Sequence, residues 1–175
     1  MTDNLNEETL STERPYNGKI LNLRIDTIKL PSGRIVTREV IEHIDSVCMV
    51  PVDDDKNIWF VRQFRTPTGR ALLELPAGGM DDGEKPIDAL KRELFEEIDL
   101  EIKDAKLLFS WNHDKYNSIL HFFLVPLTVE LDKLCLNEGQ RMDLFSIEQI
   151  NMLQITPSLK KNIHKIDQKL LYQTK

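Results

Sequence analysis

The stretch that most restricts the fold of this chain runs from residue 75 to residue 100 and reads LPAGGMDDGEKPIDALKRELFEEIDL. It passes from a short apolar strand pattern into a glycine-rich segment and then into one amphipathic helix. Pro86 suits the first position of a helix, where its missing amide hydrogen is not needed. Apolar residues then recur at the spacing of one helix face: Ile87, Leu90, Leu94 and Ile98. The pattern predicts a helix over residues 86–98 that begins directly after a tight loop.

The same helix concentrates negative charge. Glu93, Glu96 and Glu97 lie within little more than one turn, where like charges cost a helix about a few tenths of a kcal/mol per pair. A bound cation would offset that cost, and clustered carboxylate oxygens suit hard cations such as Mg²⁺ or Mn²⁺. The alternative is an ordinary solvated acidic face. Arg92 beside the cluster and the preceding glycine-rich loop, which allows an ion or phosphate to approach the backbone, favour a metal site.

Strand patterns dominate the remainder of the chain. Alternating or continuously apolar segments bounded by turn residues are typical of strands. They occur at residues 19–30, 34–44, 46–52, 57–65, 71–76, 105–111, 118–131 and the beginning of 141–153. A second amphipathic helix is predicted at the C-terminus from Leu159, Ile163, Ile166 and Leu170. The predicted class is therefore α+β (mixed α/β) with a mixed sheet.

Composition excludes several classes of protein. The chain has 175 residues, of which 41% are hydrophobic and 30% are charged, as expected for one globular domain with a sizeable core. No apolar run reaches the about 18 residues that a membrane-spanning helix needs, and the polar, acidic N-terminus does not resemble a targeting peptide. We therefore expect a cytoplasmic protein without a membrane partner. A formal net charge of −6, with acids concentrated in residues 78–100, argues against nucleic acid as a partner.

The residues around the acidic helix match a known signature. Gly78, Glu84 and the run from Arg92 to Leu100 resemble the Nudix box, G-x5-E-x7-R-E-U-x-E-E-x-G-U, in which U is an aliphatic residue. Every fixed position matches except Asp99, which stands where the family has glycine. That glycine ends the helix in a left-handed conformation, which aspartate adopts at a cost of about 1 kcal/mol. We expect a small loss of stability and an intact site.

The resemblance implies a fold, a cofactor and a reaction. The fold is a mixed β-sheet between helices, and the reaction is hydrolysis of a diphosphate linked to another moiety. By motif position the metal ligands are Glu93, Glu96, Glu97 and the carbonyl of Ala77, with two or more Mg²⁺ (or Mn²⁺) ions; Glu96 and Glu97 are also candidate catalytic residues. Arg92 and Glu84 are expected to pair and to hold the glutamates in place; a purely architectural ion pair and a direct catalytic role are equal alternatives.

A narrower resemblance concerns the substrate. The stretches LPSGRIVTREVIEH, VRQFR and LLELPAGG, within residues 17–150, are similar to the ADP-ribose pyrophosphatase branch. That branch implies a homodimer, substrate binding by Arg65 and by residues of the N-terminal sheet such as Arg38, and a catalytic or metal-binding role for Glu138. Two further candidate substrate-binding residues are Gly78, in the glycine-rich loop, and Trp111, whose ring could stack on a base. Each assignment has a simpler alternative: Arg65 as a surface strand residue, Trp111 as a packing residue at a strand end, and Glu138 as part of an Asn-Glu-Gly turn.

The predicted organisation has three parts: a flexible tail at residues 1–16, a β-hairpin and dimerisation region at 17–44 that forms a small antiparallel sheet, and a Nudix hydrolase domain with a C-terminal helix at 45–175. The predicted function is metal-dependent hydrolysis of ADP-ribose or a related nucleoside diphosphate sugar to a nucleoside monophosphate and a sugar phosphate.

One segment departs from that branch. Residues 110–116 read SWNHDKY where the branch has Ser-Pro-Gly, and Tyr116 lies close to a tyrosine position of dinucleoside polyphosphate hydrolases, which are the enzymatic alternative. A non-catalytic Nudix domain that senses a nucleotide is the alternative of another class.

Overall fold

The computed structural model describes residues 5–113, 117–127, 129, 133–137, 139–150 and 152–171. The chain divides into two compact units, residues 1–45 with 112–119 and residues 46–111 with 120–175. The strands are β1 (Glu8–Asn17), β2 (Leu21–Lys29), β3 (Ile35–His43), β4 (Ser46–Val52), β5 (Ile58–Arg65), β6 (Arg70–Glu74), β7 (Ala77–Gly79), β8 (Lys106–His113), β9 (Ser118–Pro126) and β10 (Arg141–Phe145). The helices are α1 (Pro86–Ile98), α2 (Ile147–Ile150) and α3 (Pro157–Leu171).

The first unit contains a three-stranded antiparallel sheet in the order β1-β2-β3. The hairpin between β2 and β3 closes where the Leu30–Arg34 segment contains Pro-Ser-Gly, and Gly33 adopts a φ of 83° that favours glycine. Its amide donates to the carbonyl of Leu30 at 2.8 Å. The small antiparallel sheet expected from the alternation in residues 19–44 is therefore confirmed.

The prediction of a flexible tail over residues 1–16 is wrong for residues 8–16, which form most of β1. All ten residues of β1 are exposed, so the strand has no buried face and no apolar alternation from which it could be recognised. It is held by backbone pairing with β2 and by polar side chains. Thr12 donates to the buried Asp26 at 2.8 Å, and Arg14 pairs with Glu42.

The second unit contains a seven-stranded sheet whose main path is β10-β5-β4-β9-β8, with β6 beside β5 and β7 beside β4. β4 runs parallel to β9 and antiparallel to β7, so the predicted mixed sheet is confirmed. β4 has the sequence SVCMVPV and is buried along most of its length, as expected for a strand that is covered on both faces.

The two faces of β4 contribute to two separate cores. Val47 and Met49 belong to the core that contains the apolar face of α1, whereas Cys48 and Val50 belong to the core that contains residues of α2 and α3. Because successive side chains of a strand point to opposite faces, the sheet lies between α1 on one side and α2 with α3 on the other. This arrangement confirms the expected α+β fold.

Local predictions around α1 agree with the structure. The helix begins at Pro86 and ends at Ile98, and Asp99 follows with φ 54° and ψ 38°, in the left-handed region. Both cysteines are free; Cys48 is buried and Cys135 is exposed. Within the described part of the chain, no helix is long and apolar enough to cross a membrane.

Candidate active site

The predicted backbone ligand, Ala77, is fixed by the sheet. It belongs to the short strand β7, in which Ala77 pairs with Cys48 and Gly79 pairs with Ser46. The carbonyl of Pro76 also accepts a hydrogen bond from the amide of Met49 at 2.8 Å. The glycine-rich segment therefore enters the site as a strand of the sheet, and α1 follows after a short turn.

Gly78 leaves space for a glutamate side chain. A Cβ atom at this position would lie 1.8 Å from Cδ of Glu93 and 2.0 Å from its Oε2. No side chain larger than hydrogen fits unless Glu93 moves. The first residue of the box is therefore glycine because the carboxylate of Glu93 lies directly against the loop backbone.

Arg92 joins the loop to the helix. Its Nε and Nη2 donate to the two carboxylate oxygens of Glu84 at 3.0 and 2.8 Å, and Nη2 also donates to the carbonyl of Gly79 at 2.8 Å. Its Nη1 donates to Glu93 at 2.6 Å and, more weakly, to Glu96 at 3.4 Å. The pairing of Arg92 with Glu84 that the motif implied is present, and the arginine contacts two of the three predicted acidic ligands.

The charge network shifts two pKa values. Hydrogen bonds from Arg92 are the main reason that the pKa of Glu84 lies below its ordinary value of 4.5, and burial opposes this effect. The same hydrogen bonds raise the pKa of Arg92. Both groups are therefore charged at neutral pH.

A small recess opens beside the box. Its lining includes Arg65 from β5, Glu74 from β6, Ala77 and Glu97. The structure thus brings a predicted substrate-binding arginine next to two predicted metal ligands. Arg65 donates from Nε and Nη2 to the two oxygens of Glu74, at 2.8 and 2.5 Å.

The segment that contains the predicted residue Glu138 is attached to the end of α1. The amide of Asn137 donates to the carbonyl of Glu97 at 2.8 Å, and its side chain donates to the carbonyl of Glu96 at 3.1 Å. On the other side, the amide of Gln140 donates to the carbonyl of Arg62 at 2.9 Å. Glu138 itself lies outside the described residues, and its role stays a prediction.

Two other predicted substrate-binding residues have different surroundings. Trp111, near the beginning of the 110–116 segment, packs against the core that contains α3. The Nζ atom of Lys161 lies 6.0 Å from the centroid of the Trp111 ring. Arg38 is on β3 in the first unit, where it donates to Glu7 at 2.8 Å. Tyr116 lies outside the described residues. The packing alternative therefore describes the position of Trp111, while its part in substrate binding stays untested.

Sequence reasoning missed two residues of the site, Glu74 and Asn137. Glu74 had a recognisable signal, because a single glutamate in the apolar run ALLELP must either face solvent or find a partner. Asn137 had none, since its contacts with α1 depend on a pairing of distant segments that spacing does not reveal.

The donor types at this site fit a hard divalent cation, which prefers carboxylate and carbonyl oxygens. Within the described residues, no three acidic, histidine or cysteine side chains already converge into a metal-binding cluster. Glu93 and Glu96 both accept hydrogen bonds from Nη1 of Arg92. The space that Gly78 leaves for Glu93 supports the fit.

Comparison with known proteins agrees with this architecture. The family model of the NUDIX domain matches residues 42–166, and that of the nucleoside diphosphate sugar hydrolase N-terminal domain matches residues 7–41. The chain is 31% identical to the ADP-ribose pyrophosphatase of Bacillus subtilis, over 88% of this chain and 85% of that protein. It is 46% identical to the ADP-ribose pyrophosphatase of Mycobacterium tuberculosis, over 58% of this chain and 49% of that protein.

A solved structure described as an ADP compounds hydrolase has the same fold, with a TM-score of 0.73 at 17% identity and 96% coverage of both chains. The chain belongs to the Nudix family. Within that family it is a hydrolase that resembles the ADP-ribose and ADP-sugar pyrophosphatases.

Proposed function

We propose that the enzyme hydrolyses the diphosphate bond of ADP-ribose or a related nucleoside diphosphate sugar and releases a nucleoside monophosphate and a sugar phosphate. The observation that carries this proposal is the recess in which Arg65 lies beside Ala77 and Glu97. An arginine can bind phosphate oxygens through its fork of donors, and the adjacent oxygen ligands suit a cation that binds the same diphosphate. The relative in Bacillus subtilis named ADP-ribose pyrophosphatase, which aligns over most of the chain, supports the choice of substrate.

The proposal assigns a task to each group. Glu93, Glu96, Glu97 and the carbonyl of Ala77 would hold two or more Mg²⁺ or Mn²⁺ ions. When bound, such ions neutralise the diphosphate and activate water. Arg92 and Glu84 keep the glutamates on the loop-facing side of α1, and Arg65 binds the phosphates. Glu138 is proposed as an additional acidic group from the segment anchored by Asn137.

The test is a substrate panel with product analysis. ADP-ribose, ADP-glucose, GDP-mannose and diadenosine polyphosphates are each incubated with Mg²⁺, with Mn²⁺ and with a chelator. We expect a metal-dependent preference for ADP-ribose, with AMP and ribose 5-phosphate as products. Glu97→Gln should lower kcat by about a hundredfold or more, whereas Glu101→Gln, an exposed carboxylate beyond the helix, serves as the control. Preference for a dinucleoside polyphosphate would contradict the proposed substrate, and full activity in the chelator would contradict the metal assignment.

We also propose a homodimer formed through the first unit. The register of its sheet places Tyr16, Leu23 and Ile41 in one row across β1, β2 and β3. Tyr16 and Ile41 are exposed, and an apolar row on an exposed sheet face is typical of a protein–protein interface. A second copy of the chain is the partner that the resemblance implies. The cytoplasmic location stays a prediction.

A further inference from the structure

We propose that Glu74 is a positioning residue, which holds the guanidinium of Arg65 at the recess beside Ala77 and Glu97. The inference rests on the proposed function, in which Arg65 binds the substrate diphosphate. Glu74 itself is not proposed to contact the substrate. Its carboxylate fixes the plane and position of the Arg65 guanidinium, which is the group proposed to contact the substrate.

The strand register places the two residues on the same face of the sheet. Val61 on β5 pairs with Glu74 on β6, and Arg65 lies four residues after Val61 on the same strand. Because side chains alternate along a strand, Arg65 shares a face with Val61 and therefore with Glu74. The side chain of Arg65 can reach Glu74 only by lying along this face, which is the face that opens into the recess.

Burial shows which member of the pair positions the other. The side chain of Glu74 is 9% exposed, and that of Arg65 is 48% exposed. A carboxylate buried to that degree requires a charged or hydrogen-bonding partner, and Arg65 supplies two donors to its two oxygens. The glutamate is held by the packed strand, while the arginine has the longer, more exposed and more flexible side chain.

A two-bond pair of this kind restricts the guanidinium in both position and plane. An arginine that is already ordered loses less conformational entropy when it binds a phosphate. Loss of the pair should therefore weaken substrate binding while the reaction of bound substrate changes less. If the carboxylate merely strengthened the pairing of β5 with β6, its loss would lower the melting temperature without this selective effect on binding.

The experiment compares wild type, Glu74→Gln, Arg65→Ala and the double variant. KM and kcat for ADP-ribose are measured in each, together with the affinity for an analogue whose bridging diphosphate oxygen is replaced by methylene. We expect Glu74→Gln to raise KM and the analogue Kd about tenfold, with a smaller change in kcat. In the Arg65→Ala background, Glu74→Gln should have no further effect, because there is no guanidinium left to position.

Asp143→Asn is the matched control. On the neighbouring strand β10, Nε of Arg141 donates to Oδ2 of Asp143 at 2.8 Å, and Nη2 lies 2.8 Å from the same oxygen. This variant therefore disturbs an arginine–carboxylate pair elsewhere on the same sheet. Its KM should equal that of wild type. If Glu74→Gln does not fold, Glu74→Asp tests the pair, because aspartate keeps the negative charge but its carboxylate is one methylene further from Arg65; a rise in KM is again expected, and none in the Arg65→Ala background.

Two results would overturn the inference while leaving the proposed function intact. One is an unchanged KM and analogue affinity in Glu74→Gln when Arg65→Ala weakens both. The other is an equal effect of Glu74→Gln with and without Arg65. A wild-type enzyme that neither binds the analogue nor hydrolyses ADP-ribose would instead contradict the proposed function, and this inference with it.

Discussion

The residue that follows α1 departs from the family signature, and its conformation explains why the chain tolerates the change. Asp99 has φ 54° and its amide donates to the carbonyls of Leu94 and Phe95, so the helix ends as it would with glycine. A residue with a Cβ is strained in this region, although aspartate less than most. The strain is local and affects none of the predicted ligands.

Replacing Asp99 by glycine should therefore stabilise the protein. We expect the free energy of unfolding to rise by about 1 kcal/mol, which corresponds to a melting temperature higher by about 2–4 °C for a chain of this size. Asp167→Gly is the control, because Asp167 lies within α3, where glycine is unfavourable. A melting temperature that falls in Asp99→Gly would contradict this account of the helix end.

Gly78 is a second position at which the addition of one carbon atom should change the activity. In Gly78→Ala the new Cβ collides with the side chain of Glu93 rather than with backbone, so the fold should persist and the carboxylate should move. We expect kcat/KM to fall about a hundredfold or more with little change in melting temperature.

The matched variant for that prediction is Gly83→Ala in the same loop. Gly83 has φ 74° and open space around its Cα, so alanine should lower stability there and leave activity nearly intact. If Gly78→Ala kept its activity and Gly83→Ala lost it, the activity would not depend on the observed position of the Glu93 carboxylate.

At the scale of elements, the box is a loop attached to a helix by one arginine. Glu84 is a loop residue to which Arg92 of the helix is bound. The pKa of Glu84 is depressed below 4.5 mainly by hydrogen bonds from Arg92. A carboxyl group whose pKa is lower in the folded than in the unfolded protein stabilises the fold while it is ionised. The contribution is complete above the unfolded pKa and is lost as the pH falls through the depressed folded value.

Glu84→Gln should accordingly reduce the free energy of unfolding at neutral pH, and the difference from wild type should shrink as the pH falls below about 4.5. Denaturant unfolding of both proteins at a series of pH values measures this. Glu101→Gln, which removes an exposed carboxylate outside the loop, should show a smaller difference. A gap between wild type and Glu84→Gln that stays constant down to the lowest pH would mean that the ionised carboxylate is not what stabilises the loop.

Sequence patterns predicted most of the elements, and the exceptions have a common physical cause. The strands with a buried face and the helix α1 carry apolar periodicity, because burial selects for it. β1 carries none, since all of its residues are exposed and only its backbone is paired. The box residues could be predicted from their spacing, because helix geometry alone brings the acidic positions together. Glu74 and Asn137 act through contacts between distant segments, which one sequence does not encode in any fixed spacing.

At the scale of the whole molecule, the proposed homodimer can be tested by a substitution in the three-stranded sheet of the first unit. Ile41→Asp places a charge within the apolar row of the three-stranded sheet, so it should weaken the proposed dimer by at least about 30-fold. Sedimentation velocity at several concentrations measures this. Leu107→Asp is the control, because Leu107 is 49% exposed in the second unit and Ile41 is 43% exposed. A wild-type monomer, or a dimer that both variants weaken equally, would contradict the proposed interface.

The attachment of Ala77–Gly79 to β4 also has a consequence for motion. β4 is buried along most of its length and lies between β7 and β9, so we expect its amides to exchange only through global unfolding. The amides of β7 that are hydrogen-bonded to β4 should exchange with deuterium at the same slow rate. We therefore expect the backbone that carries the carbonyl of Ala77 to stay in place during turnover.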